Sequence, residues 1–164
     1  MLTESEIIAA VCRYLRRNGW TVVSICNELQ RGDDIVAEHR GSGRTVVVEA
    51  KGETSSKASS RRHGQPFNSA QVSSHVSRAF YRAAQSVGSN RLSAMALPRT
   101  APHIDRVRRI DLALRQLNLE VFWVDPQRRV TREGIWQGNS KWIRNMGGVG
   151  SAKIPRHALT SVRA

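Results

Sequence analysis

The feature that most constrains the fold is a run of three valines that ends in charge, Thr-Val-Val-Val-Glu-Ala-Lys-Gly at residues 45–52. Consecutive valines predict a β-strand that is buried on both faces. Because side chains alternate across a strand, Glu49 and Lys51 share one face, about 6 to 7 Å apart along the chain. A carboxylate and an ammonium group at the edge of a core must be paired or must bind something.

A second acid lies upstream, in the strand-like segment 32–38, and the turn-rich residues 40–44 between the two segments predict a β-hairpin. With an even-numbered loop, either residues 42–43 or residues 41–44, Asp34 is expected opposite Lys51 and on the same face as Glu49. A three-residue loop without a bulge would instead turn Asp34 to the other face. The even loop leaves apolar side chains on that other face, namely Ile35, Ala37, Val46, Val48 and Ala50.

Asp34 followed by Glu49-Ala50-Lys51 at the end of an apolar strand resembles the active-site signature of the PD-(D/E)XK nuclease superfamily, which includes restriction endonucleases and archaeal Holliday-junction resolvases. The resemblance implies that Asp34 and Glu49 bind Mg²⁺, for which Mn²⁺ can substitute, and that Lys51 positions or activates the attacking water. The segment Arg31-Gly32-Asp33 departs from the proline of the family name. Asp34 fits the pattern better than Asp33 because apolar Ile35 follows it directly.

The chemistry of phosphodiester hydrolysis is compatible with these residue types. The substrate is already anionic, so its cleavage needs a cation to neutralise the growing charge and to activate water. Carboxylate oxygens suit magnesium or manganese, and a lysine can stabilise the same charge. The alternative interpretation is a surface hairpin in which Glu49 and Lys51 are solvated and Asp34 caps a turn.

The charge balance of the chain indicates a polyanionic partner. The sequence has 26 lysines and arginines against 13 acids, a net charge of +13. A bias of this size predicts salt-sensitive attraction to nucleic acid. The acids are unevenly spread, since six of them fall between Glu28 and Glu53. An acidic site within a basic protein is the pattern expected for a metal site on a DNA-binding surface.

The order of predicted elements indicates an α/β fold with a central mixed sheet flanked by helices, in the order αβββαβαβ. This order resembles the restriction-endonuclease-like core, which we place at residues 1–126, followed by a basic extension at 127–164. Outside the hairpin, the predicted helices are 3–17, 68–87 and 100–117, and the predicted strands are 20–26, 91–97 and, as the last strand, 119–124.

Three residues are candidates for accessory roles. The resemblance implies that an acid on the first helix assists the metal site, and Glu6 is the candidate, although Thr3-x-x-Glu6 also reads as a helix capping box. The resemblance also implies a catalytic glutamine or basic residue on the second helix, for which Gln71 is the best match. His75 lies one turn later, where a histidine could act at the site or be structural or solvated.

Basic residues near these positions are candidates for contacts with the DNA backbone. Lys57, Arg61 and Arg62 lie in a serine-rich loop after the hairpin, and Arg78 and Arg82 lie on the polar stripe of the second helix. In the extension, Trp136 and Trp142 could stack on bases, fold back on the core or pair two subunits.

These observations predict a magnesium-dependent endodeoxyribonuclease, a phosphodiester hydrolase. One alternative is a DNA-binding protein on the same fold without catalysis; another is an RNA-binding or structural accessory of a larger nucleoprotein complex. The sequence has no apolar stretch of membrane-spanning length and no signal-peptide pattern, so we expect a cytoplasmic protein without a membrane partner. Cutting both strands of a duplex takes two active centres or two visits, so a homodimer is compatible with this activity.

Overall fold

A computed structural model describes residues 1–26, 32–55, 64–88 and 91–134. These residues form an α/β fold in which a six-stranded mixed sheet carries helices on both faces. In chain order the elements are α1 (Glu4–Arg17), β1 (Trp20–Ile25), β2 (Ile35–His39), β3 (Thr45–Ala50), α2 (Ser69–Gln85), β4 (Arg91–Pro98), α3 (Ala101–Arg108), α4 (Asp111–Gln116), β5 (Leu119–Val124) and β6 (Val130–Glu133).

The six strands lie side by side in chain order, from β1 to β6. Strands β1, β2 and β3 form an antiparallel meander, β3, β4 and β5 are parallel, and β6 pairs antiparallel with β5. Parallel neighbours need a crossover, and here α2 joins β3 to β4 while α3 and α4 join β4 to β5. Strands β3 and β4 therefore lie in the middle of the sheet, with helices on both of its faces.

The two faces of the sheet have separate cores because side chains alternate along each strand. Helix α1 covers one face, where Ala94 and Ala96 of β4 are buried. Helices α2, α3 and α4 cover the other face, where Met95 and Leu97 of the same strand are buried. Strand β4 is thus buried along nearly its whole length, as expected for a parallel strand between two helical layers.

The hairpin loop is even-numbered, as expected, but it is neither of the two predicted loops. His39 N donates to Arg44 O at 2.8 Å, so the loop is residues 40–43, and Gly43 supplies its left-handed position with φ of 64°. Ile35 pairs with Val48 and Ala37 with Val46, and all four lie in the core under α1. The predicted facing of the apolar side chains is confirmed.

The predicted partner of Asp34 was wrong by two residues. Continuing the observed register by one pair beyond Ile35 and Val48 places Asp34 opposite Glu49 instead of Lys51. A loop of residues 41–44 would make Arg40 and Thr45 the first pair. The observed loop begins at Arg40, so the first pair is His39 and Arg44, one residue earlier on each strand. A shift of two residues preserves the face of every side chain, so Asp34 still shares a face with Glu49.

Two element assignments from the sequence were also wrong. The helix predicted over 100–117 is two helices, because Ile110 leaves the helical region at φ −114° and ψ 12°. Val107 and Leu114 are buried on either side of this break, so the apolar spacing gave no sign of it. Strand β5 is not the last strand, since the mostly polar β6 follows it within the expected extension and carries the sheet past residue 126.

Parts of the expected extension lie beyond the described residues, including Trp136 and Trp142. Among the helices that are described, none has both the length and the apolar character needed to cross a bilayer.

A buried histidine connects α3 to the core. His103 is 1% exposed, and its Nδ1 lies 2.7 Å from Thr100 Oγ1. Burial, with a smaller contribution from nearby His75, lowers the pKa of His103 from 6.5 to about 4. As the pH falls below 6.5 the unfolded chain gains a proton at this position before the folded chain does, so the stability due to neutral His103 is lost between pH 6.5 and about 4.

Replacing His103 with asparagine, whose amide can still bond Thr100, should flatten the pH dependence of stability. We expect the difference in unfolding free energy between pH 6.5 and pH 4 to shrink by up to about 3 kcal/mol relative to wild type. Urea unfolding at a series of pH values measures it. Parallel pH profiles for the two proteins would contradict this assignment.

Candidate active site

Three charged side chains meet at one end of the sheet. Lys51 directly follows β3, and its backbone N–H donates to Ala96 O at 3.0 Å, so pairing with β4 continues past the end of the strand. Because β2 runs antiparallel to β3, the residue before β2, Asp34, arrives at this same end. Glu49 and Asp34 lie on the face that α2 covers. The hairpin therefore brings the predicted acids and the lysine together.

Lys51 Nζ is the centre of this cluster. It lies 2.9 Å from Glu49 Oε1, 3.3 Å from Glu4 Oε2 and 3.7 Å from Asp34 Oδ2. The backbone N–H of Ala50 donates to Asp34 Oδ2 at 2.7 Å, which fixes the direction of that carboxylate. These four charged side chains are each 11 to 17% exposed. We call Glu4, Asp34, Glu49 and Lys51 the carboxylate–lysine cluster.

Glu4 reaches the cluster because the chain after β3 crosses closely over the start of α1. Glu53 N donates to Leu2 O at 2.9 Å, and Leu2 N donates to Glu53 Oε1 at 2.7 Å. Gly52 allows this crossing, since a Cβ at that position would lie 2.6 Å from the backbone nitrogen of Glu4. The glycine after the Glu-Ala-Lys triplet was the one sequence signal that could have pointed to such a contact.

Glu6, the acid expected from the first helix, makes other contacts. Its Oε2 accepts from Thr3 N at 2.9 Å, and Thr3 Oγ1 accepts from Glu6 N, so the predicted capping box is confirmed. Its Oε1 lies 2.6 Å from Arg128 Nη2, which joins α1 to the turn before β6. The first helix therefore does contribute an acid to the cluster, but that acid is Glu4 and not the predicted Glu6.

The pKa directions in the cluster follow from three acids sharing one ammonium group. Burial raises the pKa of Asp34, and burial together with the charge of Asp34 raises that of Glu49, although Lys51 opposes both shifts. Burial alone would lower the pKa of Lys51, but Glu4, Asp34 and Glu49 together raise it. With every group ionised, three carboxylates and one ammonium carry a formal charge of −2. The cluster is therefore short of positive charge.

Arg82 on α2 lies at the solvent-exposed margin of the cluster. Its side chain is 46% exposed, its Nε lies 4.0 Å from Glu49 Oε2, and its Nη2 donates to Gly32 O at 3.3 Å. Arg78, one turn earlier on the same helix, is exposed. The other predicted DNA contacts, Lys57, Arg61 and Arg62, fall in a segment outside the described residues.

The two polar candidates on α2 have different surroundings. Gln71 Oε1 accepts from Asn68 N at 3.0 Å, which completes the capping box at the start of α2. The ring of His75 meets that of Phe67 edge-on at 4.5 Å. Burial, followed by the charges of Lys51 and Arg78, lowers the pKa of His75. Gln71 therefore serves the cap of α2, while His75 packs against Phe67 within electrostatic reach of Lys51.

The donor chemistry of the cluster fits a small divalent cation. Asp34 and Glu49 offer hard carboxylate oxygens, and the cluster as a whole carries excess negative charge. Across residues 1–26, 32–55, 64–88 and 91–134, no group of three or more histidines, cysteines or acids is arranged to hold a metal. Magnesium does not require three, because it commonly takes one or two carboxylates and completes its shell with water and substrate phosphate.

Comparisons of this chain with known protein families, with curated proteins and with solved structures find no match. The interpretation of the site therefore rests on the residues and geometry described above.

Replacing Gly52 with alanine should separate β3 from the start of α1. The new methyl group would meet the backbone of residues 2–4, which cannot move away as a flexible side chain could. We expect a loss of about 1 to 3 kcal/mol in unfolding free energy, measured by urea denaturation. The same change at Gly88, where φ is outside the left-handed region and a Cβ would meet only Arg91 Cβ at 3.9 Å, is the control and should cost little stability. Equal losses at the two positions would contradict the close crossing.

Removing the cluster's cation should cost more stability than removing one of its acids. At pH 7, Lys51→Met leaves buried carboxylates uncompensated, and we expect a loss of about 3 to 5 kcal/mol. Glu49→Gln relieves repulsion while it removes one ion pair, so we expect a change below about 1 kcal/mol. Denaturant unfolding of both variants tests this asymmetry. The loss in Lys51→Met should also shrink as the pH falls, because the carboxylates with raised pKa become protonated.

Proposed function

We propose that this protein is a metal-dependent nuclease that hydrolyses phosphodiester bonds in DNA, with the carboxylate–lysine cluster as its active site. The observation that carries the proposal is that carboxylate oxygens of Asp34 and Glu49 lie 3.7 Å and 2.9 Å from Lys51 Nζ. Two acids and an amine on one face of a strand end are the groups that this hydrolysis requires.

The distribution of charge in the chain supports an anionic substrate and a bound cation that assists its cleavage. The chain carries a net charge of +13, yet the buried cluster carries a formal −2. The basic chain attracts the DNA backbone, and the local negative charge attracts a divalent ion to one point on it. Neither property alone distinguishes a nuclease from a binding protein, but together they fit metal-assisted cleavage of a polyanion.

Asp34 and Glu49 would hold the ion, with magnesium as the natural choice and manganese as a substitute. When bound, the ion supplies charge neutralisation at the phosphoryl group and a more acidic water. The Ala50 N–H bond at 2.7 Å keeps Asp34 in a fixed orientation before any substrate arrives. This preorganisation limits the rearrangement needed at the time of reaction.

Lys51 and Arg82 would act on the substrate side. Lys51 carries the ammonium group that would orient water and stabilise charge on the phosphate oxygens. Arg82, half-exposed and 4.0 Å from Glu49, is the candidate cation for an adjacent phosphate, with exposed Arg78 one turn away. Contacts of this kind position the backbone without reading sequence. Gln71 is not required by this arrangement, because its oxygen serves the cap of α2.

The fold is compatible with a restriction-endonuclease-like core, and we propose that assignment as well. The chain order of one helix, three strands, a helix and a further strand agrees with that core. The site also lies at the carboxyl end of β3, a parallel strand, and ligands of α/β proteins commonly bind at the carboxyl ends of such strands. A homodimer would supply two such sites for the two strands of a duplex.

Cleavage of plasmid, branched and single-stranded DNA in magnesium tests the activity. We expect Asp34→Asn, Glu49→Gln and Lys51→Ala each to lower the rate by at least about a hundredfold while DNA binding in chelator changes little. Glu38→Gln is the matched control, because this exposed acid lies on the same hairpin as Asp34. It should leave cleavage within about twofold of wild type.

The same assay separates the proposal from its rivals. A DNA-binding protein without catalysis would bind equally in magnesium and in chelator and leave every substrate whole. An accessory that binds RNA would prefer RNA in competition with DNA at matched salt. Either result, with the folded state verified by circular dichroism, would refute the nuclease assignment.

A further inference from the structure

The two acids proposed as metal ligands already share a cation within the chain. Lys51 Nζ lies 2.9 Å from Glu49 and 3.7 Å from Asp34, so it occupies the space between their oxygens. A divalent ion bound to the same oxygens would lie about 2 Å from each of them. Two cations so close would repel strongly in a site that is largely shielded from water.

We propose that Lys51 is the resident counter-ion of Asp34 and Glu49, and that its ammonium group must leave both carboxylates before they can hold a divalent cation. This inference rests on the proposed function, since it concerns the same metal site. It gives Lys51 a second role in addition to its action on the substrate. The lysine keeps the acids in place without metal, and its departure from them accompanies metal binding.

Glu4 can keep the displaced ammonium group ion-paired within the site. Its carboxylate lies 3.3 Å from Lys51 Nζ and comes from α1, whereas the two proposed metal ligands come from the hairpin. The lysine side chain is only 12% exposed, so a rotation of its end is less disruptive than withdrawal into water. Glu4 is therefore a positioning residue in this proposal, which retains Lys51 at the site after Asp34 and Glu49 are released.

Manganese binding to Lys51→Met, measured by calorimetry or by electron paramagnetic resonance of free Mn²⁺, tests the competition. Without the competing ammonium, the variant should bind Mn²⁺ at least about tenfold more tightly than wild type. The matched control is Arg109→Gln, which removes one positive charge from an exposed pair with Asp105. It should change the affinity by less than about twofold, because a surface charge is screened by salt.

Chemical labelling of the wild-type protein provides a second test that does not need the variant to fold. Saturating Mn²⁺ or Mg²⁺ should increase acetylation of Lys51 by at least about threefold, because the amine loses two of its carboxylate partners and faces a nearby cation. Mass spectrometry measures this rate, and Lys141 and Lys153 report reagent strength in the same sample. Glu4→Gln should increase the metal effect further.

The outcomes distinguish this inference from the nuclease assignment. Tighter Mn²⁺ binding by Lys51→Met, or metal-dependent labelling if that variant does not fold, supports displacement. If wild type binds Mn²⁺ but the folded variant binds no more tightly, or if the variant does not fold and labelling ignores the metal, displacement is refuted while the metal site stands. If neither protein binds Mn²⁺ at millimolar concentrations and labelling does not change, both proposals fail.

Discussion

The interaction on which this end of the structure depends is the sharing of one ammonium group by three carboxylates. Lys51 joins the start of α1 through Glu4, the start of β2 through Asp34 and the end of β3 through Glu49. These contacts tie three segments that are distant in sequence to one buried point. Such a cluster is a poor source of net stability, because the desolvation of four charges offsets most of their attraction. Net stabilisation therefore does not account for the cluster, whereas the cation binding that we propose would.

The architecture around the cluster follows from the alternation of the strands. Even positions of β3 send Val46 and Val48 into the core under α1, and odd positions send Glu49 toward α2, so one strand both builds the core and carries a charged group. Helix α2 then contributes Arg82 at the margin of the cluster. The result is a local negative site with a basic side chain at its margin, which is the arrangement that the proposed function uses to place a cation against a phosphate.

Much of this arrangement was accessible from the sequence, and the misses have identifiable causes. The Val-Val-Val-Glu-Ala-Lys run and the even hairpin loop predicted that Asp34, Glu49 and Lys51 share a face, because a register shift of two residues leaves the face unchanged. The apolar period of residues 104–117 could not reveal the break at Ile110, since buried positions recur at the same spacing on both sides. The polar strand β6 carries no periodic signal, so the sequence alone predicts an extension there and no strand.

By itself, the sequence determined the class of the fold, the core faces of the strands and the three charged residues at the end of β3. These properties depend on local periodicity and on pairing between neighbouring segments, which the order of residues encodes directly. Only the tertiary structure decided that Glu4 completes the cluster while Glu6 caps its helix and pairs with Arg128. That choice depends on how closely the chain at Gly52 crosses the start of α1, because Glu4 and Lys51 are 47 residues apart in the sequence. Packing between distant segments sets such a distance, and no local pattern records it.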